Sequence, residues 1–227
     1  MNNSSQLEDA VEFADNPEPR CPCVLLLDTS GSMEGARINA LNQGLIAFRD
    51  NIIKDSLASR RVEIAIVTFN SQVRLVQDFL TMDQFQPPIL VASGQTYMGS
   101  GIERALDLAD ARKKSYRDHG VSYYRPWVFM ITDGKPEGEA VEIVQRAAAR
   151  IKASEGNKGI AFFAVGVQDA DMSRLAQISV RTPIKLEGLK FNEMFVWLST
   201  SMQGVSHSDP GDVMVPLPAV GWGHVSQ

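Results

Sequence analysis

The chain has 227 residues, enough at about 150 residues per domain for one sizeable α/β domain with a tail. Its 22 Lys and Arg stand against 27 Asp and Glu, a net charge of −5. A mildly acidic chain without a basic run argues against nucleic acid and against anionic membranes as partners. With 44% hydrophobic and 22% charged residues the composition is that of an ordinary globular protein and excludes a disordered one.

Residues 1–20 are polar and acidic, with two prolines and no sustained periodicity, and read as a flexible leader rather than a secretory signal. No apolar run approaches the roughly 20 residues that span a bilayer. Cys21 and Cys23 follow at a strand start. The expectation is that they lie on opposite faces, where a bridge would be strained, and that both are reduced thiols in a cytosolic chain.

Val24 to Leu27 is an apolar strand ending at Asp28. Residues 37–54 place Ile38, Leu41, Leu45, Phe48 and Ile52 at spacings of three and four, a helix with one buried face. Val62–Phe69 and Val73–Phe79 are β-rich and separated by the turn-like Asn70-Ser71, which predicts a hairpin and one antiparallel strand. A Pro/Gly/Ser loop runs to about Ser100, where Ser100 and Glu103 form a capping-box pattern opening a helix through Ile102, Leu106 and Ala109. Trp127–Ile131 is a fourth strand, residues 138–153 a helix and Ile160–Val167 a fifth strand. Asp171 is read as the N-cap of a short helix. Pro183–Leu186 is a sixth, edge strand, and Phe191, Phe195, Leu198 and Met202 mark a last helix. Residues 204–227 read as an irregular tail. Strands alternating with helices predict a doubly wound, mainly parallel six-stranded sheet with one antiparallel edge strand and helices on both faces, spanning residues 21–203.

In such a sheet, sites form where strands end near the topological switch point. Three segments fall there: Asp28-Thr-Ser30-Gly-Ser32 after the first strand, Gly94-Gln-Thr96 in the long loop, and Thr132-Asp133-Gly134 after the Trp127 strand. They supply two carboxylates and several hydroxyls, all hard oxygen donors, which suit Mg²⁺ or Mn²⁺ and disfavour Zn²⁺. Two carboxylates leave a divalent ion roughly neutralised yet electrophilic, so an open position would favour an incoming carboxylate.

DTSGSM after an apolar strand, GQT in the middle loop and ITDGKP after a later strand resemble the von Willebrand factor A domain and its metal-ion-dependent adhesion site. The resemblance covers residues 20–203 and implies a Rossmann-like fold. It also implies Ser30, Ser32 and Thr96 as hydroxyl ligands of Mg²⁺, with Mn²⁺ or Ca²⁺ as substitutes, and Asp28 and Asp133 acting largely through water. The middle loop reads SGQT where many members of the family have GGT. The ending FNEMFVWLSTSM, followed by DPGDVMVPLPAVGW, is similar to stand-alone bacterial A-domain proteins of the TerY type. That likeness implies a cytoplasmic role in a stress response such as tellurium resistance, beside a kinase and a phosphatase. The implied function is a non-enzymatic interaction module whose protein partner presents Asp or Glu to the metal.

The alternative is a Mg²⁺-dependent phosphatase or nucleotide hydrolase. Against it, Ser30 stands where such an enzyme would prefer a second carboxylate, and neither GxxxxGK[ST] nor GxGxxG occurs. No Ser/His/Asp or Cys/His set assembles. Glu34, Arg37, Tyr97 and Lys135 border the metal segments as rim candidates, with ordinary surface roles or loop packing as the competing reading. His119, His207 and His224 lack metal-binding neighbours. Trp222 either packs back on the domain or anchors a partner.

Overall fold

A computed structural model describes residues 11–133, 135–211 and 215–225. Seven strands form one sheet: β1 (Cys21–Asp28), β2 (Val62–Phe69), β3 (Val73–Thr81), β4 (Trp127–Thr132), β5 (Ala161–Val167), β6 (Ile184–Leu186) and β7 (Gly223–Val225). Their spatial order is β3-β2-β1-β4-β5-β6-β7. The five inner strands run parallel, and β3 and β7 pair antiparallel at the two edges. The β2–β3 register shifts twice, between Ile64 and Ile66 and between Ile66 and Val67. The helices are α1 (Ala36–Ile52), α2 (Ser56–Arg61), α3 (Met98–Asp118), α4 (Val141–Gly156), α5 (Met172–Ile178) and α6 (Phe191–Ser206).

The alternation of each strand sends side chains to two cores. Cys21, Cys23, Leu25 and Leu27 face α1 and α6, where Leu41, Leu45, Phe48, Phe191, Phe195 and Leu198 pack. Val24 and Leu26 face α3, α4 and α5, against Ile102, Leu106, Ile151 and Leu175. The two cysteines therefore share a face, contrary to the opposite-face expectation, because residues two apart in a strand point the same way. Both are free and buried, and burial pushes both thiols up from their ordinary pKa.

Residues 11–20 and 215–225 depart from the sequence reading. The sheet gains a seventh strand because β7 pairs with β6 through Ile184–Val225 and Leu186–Gly223, so β6 is not an edge. Trp222, just before β7, is buried edge-on against Trp197 at 5.6 Å between ring centroids, while Trp197 Nε1 donates to Pro218 O at 2.9 Å. Of the two roles open to Trp222, it has the packing one. The segment before β1 is likewise docked: residues 11–15 are helical, and Phe13 and Arg20 are buried.

What holds that segment is a charged cluster at the N-terminal end of β2. Glu63, fully buried, accepts from Arg112 Nε at 3.0 Å and Nη2 at 2.9 Å, and from the Tyr116 hydroxyl. Arg20 Nε lies 2.6 Å from the same carboxylate, and its other nitrogens donate to Glu18 O and Asn16 O. Arg112 also pairs with Glu12 at 2.7 Å and stacks 4.9 Å from the Phe13 ring centroid. The buried Glu63 carboxylate is thus neutralised by two guanidinium groups, with the partly exposed Glu12 balancing the second at the edge of the cluster, and buried charge is tolerated when paired in this way.

Candidate functional site

Asp28 ends β1 and Asp133 follows β4, and these strands are neighbours at the point where the sheet's order reverses. Both carboxylates are thereby delivered to one end of the sheet, where open α/β sheets bind ligands. Asp28 is fully buried and held on both oxygens: Ser30 N donates to Oδ1 at 2.8 Å and Thr132 Oγ1 to Oδ2 at 2.6 Å. Burial is the main cause that raises its pKa to about 6, opposed by those hydrogen bonds and reinforced by the Asp133 charge. The Ser30 and Ser32 hydroxyls lie 3.0 Å apart. Thr96 is buried, and Asp133 is nearly so. Asp133 Oδ1 is inaccessible to solvent and has no hydrogen-bond partner among the described residues.

Ser32, Thr96 and Asp133 line one cleft of about 250 Å³ with Arg37, Lys135, Glu137 and Asp169. A buried, unpartnered carboxylate oxygen costs free energy unless something satisfies it. A hard divalent cation, given carboxylates and hydroxyls and no sulfur or imidazole donor in this cleft, fits that need.

Two further hydrogen bonds fix the loops. Gly31 N donates to Gly94 O at 2.9 Å, and Ser93 N donates to Thr29 O at 2.8 Å. The middle loop is thereby tied to the first one. A side chain at Gly31 would bring its Cβ within 3.3 Å of Gly94 O, a tight approach that the loop would have to open by a few tenths of an ångström to admit. Gly94 itself has φ +76°, and a Cβ there would meet Ser71 Oγ at 2.5 Å. The SGQT loop makes a left-handed turn at this glycine. Gly94→Ala is expected to cost about 1–2 kcal/mol, read as a lowered denaturant midpoint with unchanged slope. A change below the error of the titration would show that the loop relaxes freely.

Glu139, Glu137 and Gln168, which the sequence reading did not single out, also shape the site. Glu139 accepts from Gly99 N at 2.7 Å, from Ser100 N at 2.8 Å and from the Ser100 hydroxyl, capping α3 from another loop. This replaces the expected Ser100–Glu103 capping box: α3 starts earlier, at Met98, and Ser100 lies in its first turn. An anion at that position suits the positive end of the helix, and it anchors the loop that follows Asp133. Thr96 and Glu137 exchange two backbone hydrogen bonds, of 3.2 and 3.1 Å, which join the same two loops. Arg37 donates from Nε to Gln168 Oε1 at 2.7 Å and from Nη1 to Ser32 O, bracing the Ser32 backbone. Gln168 has a positive φ of 51° in the loop after β5.

Of the rim candidates, Arg37 and Lys135 reach the cleft, Tyr97 precedes α3 and donates its amide to Asn70 O, and Glu34 is exposed. His207 pairs with Asp55 at 2.7 Å, and His224 lies 3.9 Å from Glu187. His119 packs on Phe13, so none of the three histidines approaches the cleft. No helix among the described residues is long and apolar enough to cross a membrane.

The fold recurs in solved structures. The vWF domain of the type V pili tip protein Mfa5 from Porphyromonas gingivalis superposes with a TM-score of 0.64 at 10% identity, covering 87% of this chain and 99% of that one. Proximal thread matrix protein 1 from the mussel byssus, one structure of which has a zinc-occupied MIDAS motif, gives a TM-score of 0.56 at 16% identity over 82% of this chain and 48% of that one. Mouse (Mus musculus) matrilin-4 is 25% identical over 168 residues, 69% of this chain, and the chain spans only 25% of matrilin-4. Residues 23–192 match the von Willebrand factor type A domain, and with well over half of its length covered the chain belongs to that family.

Proposed function

We propose that the chain is a metal-dependent protein-interaction module of the adaptor or regulatory kind. Ser30, Ser32 and Thr96 would hold Mg²⁺ through their hydroxyls, and Asp28 and Asp133 largely through water, with Mn²⁺ or Ca²⁺ as substitutes. The observation that carries this reading is Asp133 Oδ1, buried without a partner beside a cleft that Ser32 and Thr96 share. The bound ion supplies a Lewis-acidic position that a partner's Asp or Glu can occupy. Ser30 N and Thr132 Oγ1 hold the Asp28 carboxylate in one orientation, and the Gly31–Gly94 contact keeps two of the loops together.

Binding rather than catalysis is favoured by the residues present. The position two after Asp28, where a phosphotransferase using that aspartate as nucleophile would prefer its acid/base carboxylate, is a serine. The likeness of the C-terminal sequence to TerY-type proteins supports a place in a bacterial cytoplasmic stress system such as tellurium resistance, with kinase or phosphatase components as partners.

The test pairs metal binding with partner capture. Saturating Mg²⁺ is expected to raise the melting temperature by about 5–10 °C, from the roughly 2.7 kcal/mol gained at a hundredfold excess over Kd. Asp133→Ala is expected to abolish that rise. The same variant, and the wild type in EDTA, should lose proteins that the tagged wild type retains from lysate in Mg²⁺. An identical catch under all three conditions would show that the metal site is not the docking point.

A further inference from the structure

The cleft beside Asp133 carries four charged side chains besides that carboxylate: Arg37, Lys135, Glu137 and Asp169. Arg37 spends its hydrogen bonds on neutral acceptors, Gln168 Oε1 and Ser32 O, and keeps its full charge. None of the four has an ionic partner among the described residues. Elsewhere on the surface the chain pairs such groups readily, as in Arg146 and Arg150 with Glu103, Lys114 with Asp118 and Lys190 with Glu187. Besides Asp133, the cleft therefore holds two cations and two anions without an ionic partner among the described residues.

Their placement is as informative as their number. Glu137 and Lys135 belong to the loop after β4, which the Thr96–Glu137 backbone bridge fastens on one side. Asp169 follows Gln168, which Arg37 holds on the other side. Each wall thus offers one charge of each sign. A ligand that brought only negative charge would satisfy Arg37 and Lys135 but face repulsion from Glu137 and Asp169. One that brought an acid with neutral neighbours would leave both wall carboxylates unanswered.

We propose that the segment this site takes is of mixed charge: an Asp or Glu at the metal, with a Lys or Arg within about three residues, the reach of an extended chain across the cleft, paired to Glu137 or Asp169. Charge complementarity of this kind selects partners more than it adds raw affinity. The inference rests on the metal-dependent binding proposed above and adds the chemistry of the partner.

Selection from a displayed library of random peptides tests it, on the immobilised full chain in Mg²⁺ at low salt, with elution by EDTA. Eluted sequences are expected to contain an acid in nearly every case. Lys or Arg near that acid should be enriched about two- to fivefold over the input, the preference an exposed ion pair sustains. With Glu137→Gln and Asp169→Asn combined, the acid should persist, the basic enrichment should vanish, and the Mg²⁺-induced rise in melting temperature should be unchanged. Acids flanked by neutral or acidic residues on the wild-type chain would overturn the mixed-charge proposal while leaving metal-dependent binding intact. If no sequence is released by EDTA, both proposals fall.

Discussion

Replacing Glu63 by alanine is expected to destabilise the fold by about 3–5 kcal/mol, because it strips the shared carboxylate from two buried guanidinium groups. Arg20 is fully buried and Arg112 is 8% exposed, so neither can turn to water without unpacking its surroundings. Tyr116 loses its hydroxyl's acceptor in the same step. Natural domains are stable by only about 5–15 kcal/mol, so the variant should be near its limit at 37 °C. For a chain of this size the melting temperature should fall by roughly 6–20 °C. The loss should be felt first in the segment before β1, where Arg20 links Glu63 to the carbonyls of Asn16 and Glu18. Hydrogen exchange would show amides there, such as Arg20 N on Ser122 O, losing protection ahead of the central strands. A loss under about 1 kcal/mol would mean that the cluster contributes no more than a surface pair.

Asp28→Asn should act in opposite directions with and without metal. In the metal-free chain the Asp28 carboxyl titrates at about 6 instead of its ordinary 3.8, chiefly through burial. A raised folded pKa means that the folded state binds more protons than the unfolded one between those two values. Stability then falls as pH rises through that window, and the penalty is complete above pH 6. At 1.36 kcal/mol per pH unit it amounts to about 3 kcal/mol. Asparagine stays neutral and can still accept from Ser30 N, although its hydrogen bonds are weaker than those of a carboxylate. The metal-free variant should therefore be more stable than wild type at pH 7 by about 1–2 kcal/mol, with the difference closing toward pH 4. Added Mg²⁺ should stabilise the wild type alone and reverse the order. The idea is sunk if the variant is the less stable of the two in EDTA at pH 7, or if Mg²⁺ stabilises both equally.

Much of this architecture is legible in the sequence because it rests on local patterns. The apolar runs of β1, β2, β4 and β5, the three-and-four spacing of α1 and α6, and the Asn70-Ser71 hairpin each declare themselves within a few residues. The three site segments are legible for a related reason: each follows or precedes a recognisable strand or helix, so topology alone brings Asp28 and Asp133 to one end of the sheet. What escaped depends on partners distant in sequence. Arg20 and Phe13 look like parts of a loose leader until Glu63 and Arg112, far along the chain, are beside them. Glu139 caps a helix that begins 41 residues before it, whereas Ser100 and Glu103 satisfy a local capping rule that the fold does not use. β7 is three residues long, too short for any periodicity, and exists because β6 offers it an edge. Gln168 carries no sign in its residue type of the positive φ it adopts.

The doubled register shift between β2 and β3 has a consequence for the behaviour of many copies together. An outermost strand with a regular row of free amides and carbonyls is a template on which a neighbouring molecule can add its own strand and seed fibrils. β3, at nine residues, is long enough to serve as one. Irregularities of this kind twist a strand out of plane, and Arg74 and Asp78 alternate along its exposed side with Val76 between them. A second copy approaching this rim meets a bent strand bearing charge of both signs. Register irregularity and surface charge together thus discourage runaway self-association at this rim.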